Sequence, residues 1–216
     1  MLLHLVKKDL ILVKKYLLFM LVFAVVGPIF INSRLEFDNG SFIGFFITVL
    51  FVEYILFNMI SMQEDKYRGS ALLCTTPHTR NGVIKAKYLF ILVVFIACFL
   101  LYNLATAIGV STGLTRLSIM NVGISLLIIS AFFGILIPVQ TKFGYEKTRY
   151  IFFIVIFLTP FLLPIIIEWY QSNNFNINLN LPIPQAAKDW IPFVIAILIG
   201  FISMVVSIQI FSKKNL

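Results

Sequence analysis

The residue best placed to do chemistry is Glu53, a carboxylate in the middle of the apolar run LFVEYILFN. If this run crosses a membrane, an acidic side chain there is costly, and by default it indicates a gate or a transport path. The alternative is a protonated carboxyl that hydrogen-bonds a neighbouring helix and serves only as structural glue. Candidate partners for such a bond are Asn58, Asn103, Thr106 and Gln140. The sequence leaves both interpretations open.

Two prolines lie about one turn apart in another apolar run, at Pro160 and Pro164. Proline has no backbone N–H, so this pair predicts a kinked or broken helix. Broken membrane helices often mark gates or substrate routes, although neighbouring helices can restore the lost hydrogen bonds. We therefore treat Glu53, Pro160 and Pro164 as the candidates for translocation or gating.

Sequence motifs of enzymes are missing or out of context. Residues 109–113 match G-x-S-x-G, but the expected strand and a nearby histidine are not predicted, so the match is chance. The sequence contains no G-x-x-x-x-G-K-[ST] segment, and it therefore cannot bind ATP by the P-loop route. Two cysteines cannot form a zinc site by themselves. We predict no catalytic residue, no metal and no cofactor bound by this chain.

The composition places these residues in a membrane. Of the 216 residues, 60% are hydrophobic and 12% are charged, whereas soluble domains have about 45–50% and about 25%. A membrane-spanning helix needs ~20 mostly apolar residues. The sequence predicts one all-α integral membrane domain over residues 1–216, with six transmembrane helices: 16–31, 41–62, 88–110, 119–140, 150–170 and 190–211.

The first fifteen residues predict a separate amphipathic helix. Leu2, Leu3, Val6, Leu10 and Val13 recur at helical spacing, and lysines occupy other positions of the helical wheel. We expect residues 1–15 to lie in the membrane interface. The alternative is that they are only a basic flank of the first span.

The basic residues predict the orientation. Of the 17 Lys and Arg residues, all but Arg34, Arg116 and Lys188 lie in segments on one side of the predicted membrane. The positive-inside rule places that side, with both termini, in the cytosol, and it makes residues 171–189 an extracellular loop. The net charge of +8 is thereby explained as a topology signal. It does not indicate nucleic-acid binding.

The long polar segment 63–88 carries a recognisable order of residues. An acidic pair is followed by L-L-x-x-x-P-x-x-R and then by K-Y-L at the start of the third span, with Val83 and Ile84 between them. This order resembles the permease subunits of ABC-2 type transporters, the six-span family of bacterial peptide and bacteriocin exporters. The matching residues are Glu64, Asp65, Lys66, Leu72, Leu73, Pro77, Arg80, Lys87, Tyr88 and Leu89.

The resemblance implies a mechanism without catalysis in this chain. Residues 64–83 would form a cytosolic coupling region whose short coupling helix docks on a separate cytosolic ATPase, and that subunit would bind the ATP and Mg²⁺. It implies a second permease copy or a homologous permease, membrane lipid around both, and amphipathic peptides as cargo in a bacterial plasma membrane. The alternatives are a stand-alone membrane enzyme and an immunity or assembly protein without transport. The implied coupling residues are Glu64, Asp65, Lys66, Ser70, Leu72, Leu73, Thr76, Pro77 and Arg80.

Overall fold

The computed structural model describes residues 2–34, 40–67, 80–108, 114–172 and 185–213. All of the regular secondary structure in these ranges is α-helix. The helices in chain order are α1 Leu2–Leu12, α2 Lys14–Arg34, α3 Gly40–Lys66, α4 Arg80–Ile108, α5 Ile119–Phe143, α6 Tyr145–Ser172 and α7 Gln185–Ser212.

Five of these helices, α2, α3, α4, α5 and α7, are long and apolar enough to cross a membrane. They correspond to five of the six predicted spans, although residues 109 and 110 of the third lie outside the described residues, so the chain is a multi-pass membrane protein whose described secondary structure is helical. The remaining predicted span, 150–170, lies within α6, which is not among the five. A sixth crossing therefore stays a prediction.

The helices on either side of the polar segment extend beyond the predicted spans. The sequence ended the second span at residue 62 and began the third at 88, but α3 continues through Lys66 and α4 begins at Arg80. The 27 residues of α3 make a helix of ~40 Å, which exceeds the ~30 Å hydrocarbon core. Its polar last turn can therefore project beyond the bilayer. We call this end of the bundle, where α3 ends and α4 begins, the coupling end.

Helix α3 is the centre of the bundle. Of its most apolar window, 78% is buried, against 22% for α2 and for α7. Aromatic rings join it to its neighbours: Phe45 meets Tyr102 of α4 at 5.1 Å between ring centroids, and Phe57 meets Phe133 of α5 at 5.5 Å. Edge-on aromatic pairs of this kind contribute beyond the area they bury. They hold α4 and α5 against α3.

Small residues bring α5 and α7 together. Gly123 of α5 leaves so little room that an added Cβ would lie 2.9 Å from the Phe193 ring. Along the same contact, Ser130 Oγ donates a hydrogen bond to the Ala196 carbonyl at 2.7 Å, and Ser203 Oγ donates one to the Gly134 carbonyl. Close approach at small residues with hydroxyl hydrogen bonds is a common way to join helices within a membrane.

The prolines of α6 do not break it. The helix runs from Tyr145 to Ser172 through both Pro160 and Pro164, so the broken-helix form of the prediction is wrong. Proline removes an N–H donor and its ring crowds the preceding turn, but these costs do not end a membrane helix by themselves. The Pro160 side chain is partly exposed, whereas the side chain of Pro164 lies outside the described residues.

Helix α1 buries only part of the predicted stripe. Val6 is buried, as predicted, and so is Val13 just after the helix. Leu2 and Leu3 of the same stripe are 41% and 73% exposed, whereas Asp9 is buried. Its buried face packs on α4 and α2. These contacts bury one stripe of side chains on α1 and leave another exposed. The two exposed leucines are available to the bilayer, and the interfacial position of α1 stays a prediction.

We expect Gly123→Ala to destabilise the α5–α7 pair, because the new methyl group would lie 2.9 Å from Phe193 and 3.1 Å from Pro192. Overpacking of this kind costs about 1–3 kcal/mol. Gly134→Ala is the matched control, since its Cβ would meet Ser203 at an ordinary 3.5 Å. Thermal melting of the detergent-solubilised chain should show a lower midpoint for the first variant only. Equal midpoints would contradict the close approach.

Candidate functional site

A network of charged side chains joins three helices at the coupling end. Lys87 Nζ of α4 lies 2.7 Å from Glu64 Oε2 of α3. Lys8 Nζ of α1 lies 3.4 Å from the other oxygen of Glu64, Oε1, and 2.9 Å from Asp9 Oδ1. Glu64 is therefore the centre of the network, with one lysine on each carboxylate oxygen. We call Lys8, Asp9, Glu64 and Lys87 the ion clamp.

The ion clamp is largely shielded from solvent. The side chain of Glu64 is 11% exposed and that of Lys87 is 14% exposed. The Lys87 ammonium also lies 5.9 Å from the centre of the Phe57 ring, where a cation–π attraction adds to the ion pair. Because both charged side chains are mostly shielded from water, each depends on the opposite charge of the other for compensation. The pair differs in this respect from an exposed surface salt bridge.

Asp9 is the less well satisfied acid of the clamp. Its residue is 3% exposed, and burial raises the pKa of its carboxyl above the ordinary value while Lys8 opposes that shift. Its Oδ1 atom is 2.9 Å from Lys8 Nζ, but the contact lacks hydrogen-bond geometry, so Oδ1 has charge compensation without a hydrogen bond. For Lys8, burial lowers the pKa, but Asp9 and Glu64 together outweigh it and leave the pKa raised.

A small cavity of about 90 Å³ with a mixed polar and apolar lining lies beside the clamp. Glu64, Lys87, Gln140 and Tyr145 are among its polar lining residues. Ser61 Oγ donates a hydrogen bond to Gln140 Oε1 at 3.2 Å across this space. Since a bound water needs only about 10–15 Å³ and two or more polar partners, the cavity has room for several waters. It joins the ends of α3, α4 and α5 through polar contacts.

The ion clamp joins the two helices that lie on either side of the predicted coupling region. Glu64 lies two residues before the end of α3, and Lys87 lies two turns after the start of α4. Asp65 and Lys66 also lie on α3 and are exposed. The other predicted coupling residues, Ser70, Leu72, Leu73, Thr76 and Pro77, lie outside the described residues, as does the side chain of Arg80.

The sequence did not identify Lys8, Asp9 or Lys87 as members of a site. Lys8 and Lys87 were understood as topology signals, and Lys87 also as part of the K-Y-L motif. A spacing signal could not have revealed the clamp, because Lys8 and Glu64 are 56 positions apart. The one available hint was the acid Asp9 among the lysines of an apolar helix, which predicts a buried ion pair.

Glu53 lies deep in the bundle and has no hydrogen-bond partner among the described residues. It is 1% exposed, and both of its carboxylate oxygens are unsatisfied. Of its proposed partners, Asn103 donates to the Phe99 carbonyl and Thr106 donates to the Asn103 carbonyl. Gln140 accepts from Ser61, and Asn58 interacts with Tyr145. The glue interpretation is therefore not supported by the contacts within the described residues.

The only described group that interacts electrostatically with Glu53 is the buried Cys98 thiol of α4. A thiol is a weak hydrogen-bond donor and cannot compensate a carboxylate. The described part of the chain also holds no group of three or more metal-ligating side chains. Among the described residues, Glu53 is thus not hydrogen-bonded to an acid–base partner.

The described part of the chain contains five helices that are long and apolar enough to cross a membrane. A family model described as an ABC-2 family transporter protein matches residues 4–212. The chain belongs to the ABC-2 transporter family. A search of curated proteins finds no match to the chain.

Membership in the ABC-2 family fixes the general activity. The chain is a permease component of an ABC exporter, which is a membrane transport component. Such permeases generally work with a cytosolic ATPase and often as dimers. The family match spans α1 to α7, so the ion clamp and Glu53 both lie within the matched ABC-2 region.

We expect the clamp to behave as a coupled unit in a double-mutant cycle. Glu64→Gln and Lys87→Gln should each lower the free energy of unfolding by about 1–3 kcal/mol, because the first leaves Lys87 without its acid and the second leaves Glu64 with Lys8 alone. The double variant should lose less than the sum of the two. Asp65→Asn, at the exposed neighbour, is the control and should change stability little. Strictly additive losses in thermal melts would show that the pair is not coupled.

We also expect Glu53→Leu to melt no lower than the unsubstituted chain. The change removes a buried polar group that has no partner, and such replacements are often neutral or stabilising. Thr48→Val is the contrast: Thr48 is equally buried, but its hydroxyl donates to the Gly44 carbonyl at 2.8 Å. That variant should lose about 1 kcal/mol. A large loss for Glu53→Leu would mean that the carboxyl contributes to folding after all.

Proposed function

We propose that this chain is the permease of a peptide exporter, driven by a separate cytosolic ATPase that docks on the coupling region, residues 64–83. The ion clamp is the observation that carries this proposal. It binds the last turn of α3 to the second turn of α4, and these two helices border the coupling region; it also binds α3 to α1. A force applied to the docked segment would therefore move the two helices together.

The coupling residues have different roles in this mechanism. Leu72 and Leu73 are the apolar anchors that would fill a pocket of the ATPase, and Asp65, Lys66 and Arg80 form a charged rim that sets specificity. Ser70, Thr76 and Pro77 would shape the short coupling helix between them. Glu64, predicted as part of the rim, already holds Lys8 and Lys87, so we assign it to force transmission.

ATP and Mg²⁺ would be held by the partner ATPase, and this chain would contribute movement. The basic residues support both termini on the cytosolic side of a bacterial plasma membrane. With that orientation, the coupling end faces the ATPase. The motion of α3 and α4 would reach Glu53 through α3 itself, since both carboxylates lie on that helix.

A second permease copy would complete the translocation path. Helix α6 supports this part of the proposal, because Phe153, Phe157 and Phe161 form a continuous row of rings on its surface, with centroids 6.2 and 5.9 Å apart. All three side chains are more than half exposed. An exposed aromatic row on a helix that also contains Pro160 suits a contact between copies next to the path.

Amphipathic peptides are the proposed cargo, by resemblance to the peptide-exporting members of the family. Lipids, small drugs and ions fit the same apolar composition. A stand-alone enzyme would require a second catalytic group near Glu53, and Cys98 is the only described group that interacts with it electrostatically. An immunity or assembly protein would bind a partner but would move no substrate.

The test is to replace both anchor leucines, in Leu72→Asp with Leu73→Asp, and to purify the tagged chain from its host in mild detergent. We expect the ATPase to co-purify with the unsubstituted chain and to be lost from the double variant. Phe143→Asp is the matched control, because it changes another exposed apolar side chain at the coupling end. Its ATPase should be retained.

Mass spectrometry of the eluate identifies the ATPase by its P-loop sequence. Unchanged co-purification with the double variant would contradict docking through Leu72 and Leu73. A preparation with intact helices but no ATPase in any variant would favour the stand-alone interpretation.

A further inference from the structure

The carboxyl of Glu53 is a deeply buried acid that the coupling mechanism leaves without a partner. The residue is 1% exposed, and neither carboxylate oxygen has a hydrogen-bond partner among the described residues. Buried polar groups without partners are uncommon in folded proteins, and each one needs a physical explanation. Here the explanation has to account for an acid in the middle of a helix that is long and apolar enough to cross a membrane.

Glu53 occupies the same face of α3 as Glu64. Eleven positions separate the two acids, and eleven separate Lys87 from Cys98 on α4, which is close to three helical turns in each case. The two helices are antiparallel neighbours, joined at the coupling end by the ion pair of Glu64 and Lys87. Cys98 therefore lies opposite Glu53 as Lys87 lies opposite Glu64, and Cys98 and Glu53 interact electrostatically. Where the end of the contact between α3 and α4 has a lysine, its middle has a thiol.

The packing around Glu53 limits the size of anything that could compensate it. Two open apolar cavities, of about 210 and about 420 Å³, lie between α4, α5 and α7, and the cavity of about 90 Å³ lies at the coupling end. None of these three cavities is lined by Glu53, and both of its carboxylate oxygens are closed off from water. A metal ion or an ammonium group needs space beside the carboxylate. A proton needs none.

The alternative to a bound proton is an ionised carboxylate without a cation. Helices α2, α4, α5 and α6 pack against α3, but none of their described charged side chains interacts with Glu53, and Cys98 is its electrostatic partner. Taking an unpaired charge out of water costs so much free energy that a buried carboxyl becomes neutral instead. A neutral carboxyl still leaves polar atoms unpaired, but at a much smaller cost. Glu64 differs, because two lysines compensate its charge.

We propose that Glu53 is a proton-binding site: its carboxyl carries a proton while α3 and α4 pack as in this structure, and it releases the proton when water reaches it. Release follows because the ordinary pKa of a glutamate in water, about 4.3, lies below neutral pH. A bound proton therefore favours the packed arrangement, and acidic conditions oppose opening of the contact between α3 and α4. Proton binding does not require the ATPase, whereas its link to transport rests on the proposed function.

Infrared spectroscopy of the full chain, purified in detergent and exchanged into heavy water, tests proton binding without the ATPase. A protonated carboxyl absorbs at a C=O frequency that is separate from the bands of ionised carboxylates and of backbone amides. We expect this acid band in the unsubstituted chain at neutral and mildly alkaline pH. It should be lost in Glu53→Gln, in which an amide of nearly the same shape replaces the neutral acid.

Two control variants identify the origin of the band. Glu64→Gln changes an acid on the same face of α3 that already has a lysine on each oxygen, and it should keep the band. Asp9→Asn changes the other acid among the buried residues, whose pKa is raised by burial. It should also keep the band at mildly alkaline pH, where Lys8 compensates an ionised Asp9. Circular dichroism checks that each variant keeps its helices.

The pH dependence of stability is an independent measurement of the same proton. The native chain holds a proton on Glu53 that the unfolded chain releases above about pH 4.3, whereas glutamine at this position holds none in either state. Stability from this site is therefore present in acid and is lost as the pH rises. The unfolding constant of the unsubstituted chain, divided by that of Glu53→Gln, should rise about tenfold for each pH unit. Denaturant unfolding from mildly acidic to mildly alkaline pH measures this ratio.

Either measurement can overturn the proposal. An unsubstituted chain without the acid band at neutral pH would do so, and so would a band that persists in Glu53→Gln. A ratio of unfolding constants that does not change with pH would mean that folding leaves the charge of Glu53 unaltered. A chain that shows the band but associates with no ATPase would contradict the proposed function and leave the proton-binding site in place.

Discussion

The ion pair between Glu64 and Lys87 is the constraint on which the coupling end depends. In a chain with 60% hydrophobic residues, most helix contacts are apolar and depend on close packing alone for their registry. A shielded ion pair at 2.7 Å cannot slide, because separating the charges leaves each one uncompensated. The pair therefore sets the registry of α3 against α4, and Lys8 extends the same fixed point to α1.

Two buried carboxylates on one helix have opposite surroundings. Glu64 has a lysine on each oxygen, whereas Glu53, three turns deeper, has no hydrogen-bond partner in the described part of the chain. Unsatisfied buried polar groups cost free energy and are uncommon. One rigid helix thus carries a fixed charge pair at its end and a poorly satisfied acid in its middle. Since Glu53 has no hydrogen bond to lose among the described residues, a movement of α3 would change its surroundings at little cost in free energy.

Much of the fold follows from the sequence. Apolar run length predicted six spans, of which five correspond to helices long and apolar enough to cross a membrane, and the motif in residues 63–88 predicted the family. Both signals are local, which is why they can be recognised without a structure. At the coupling end, the predicted spans stop short of the ends of α3 and α4 for a related reason. Hydropathy measures where a helix leaves the bilayer, and these helices continue through Lys66 and from Arg80.

The site was harder to predict because its residues meet only through the packing. In the sequence, Lys8 and Lys87 are indistinguishable from the other basic residues that indicate topology. They become partners of Glu64 only because α1 packs on α4. Leu5 and Leu3 show the same limit: both are leucines of an amphipathic helix, yet one is 4% and the other 73% exposed. The sequence pattern shows that α1 is amphipathic, and the packing of neighbouring helices determines which of its residues are buried.

Helix α4 connects the features that remain separate in the sequence. Lys87 ties its coupling end to α3, and Cys98 faces the level of Glu53. At the far end, Tyr102 packs on Phe45 and donates a hydrogen bond to the Thr115 carbonyl at 2.9 Å. A helix fixed to α3 at both ends transmits a displacement along its whole length instead of bending. The open cavities lie on its other side, towards α7, so the side of α4 that faces α3 is rigid and the side that faces the lipid is adaptable. With that asymmetry, the movement proposed for the coupling end would reach the far end of the bundle through α3 and α4, while α7 and the surrounding lipid would accommodate it.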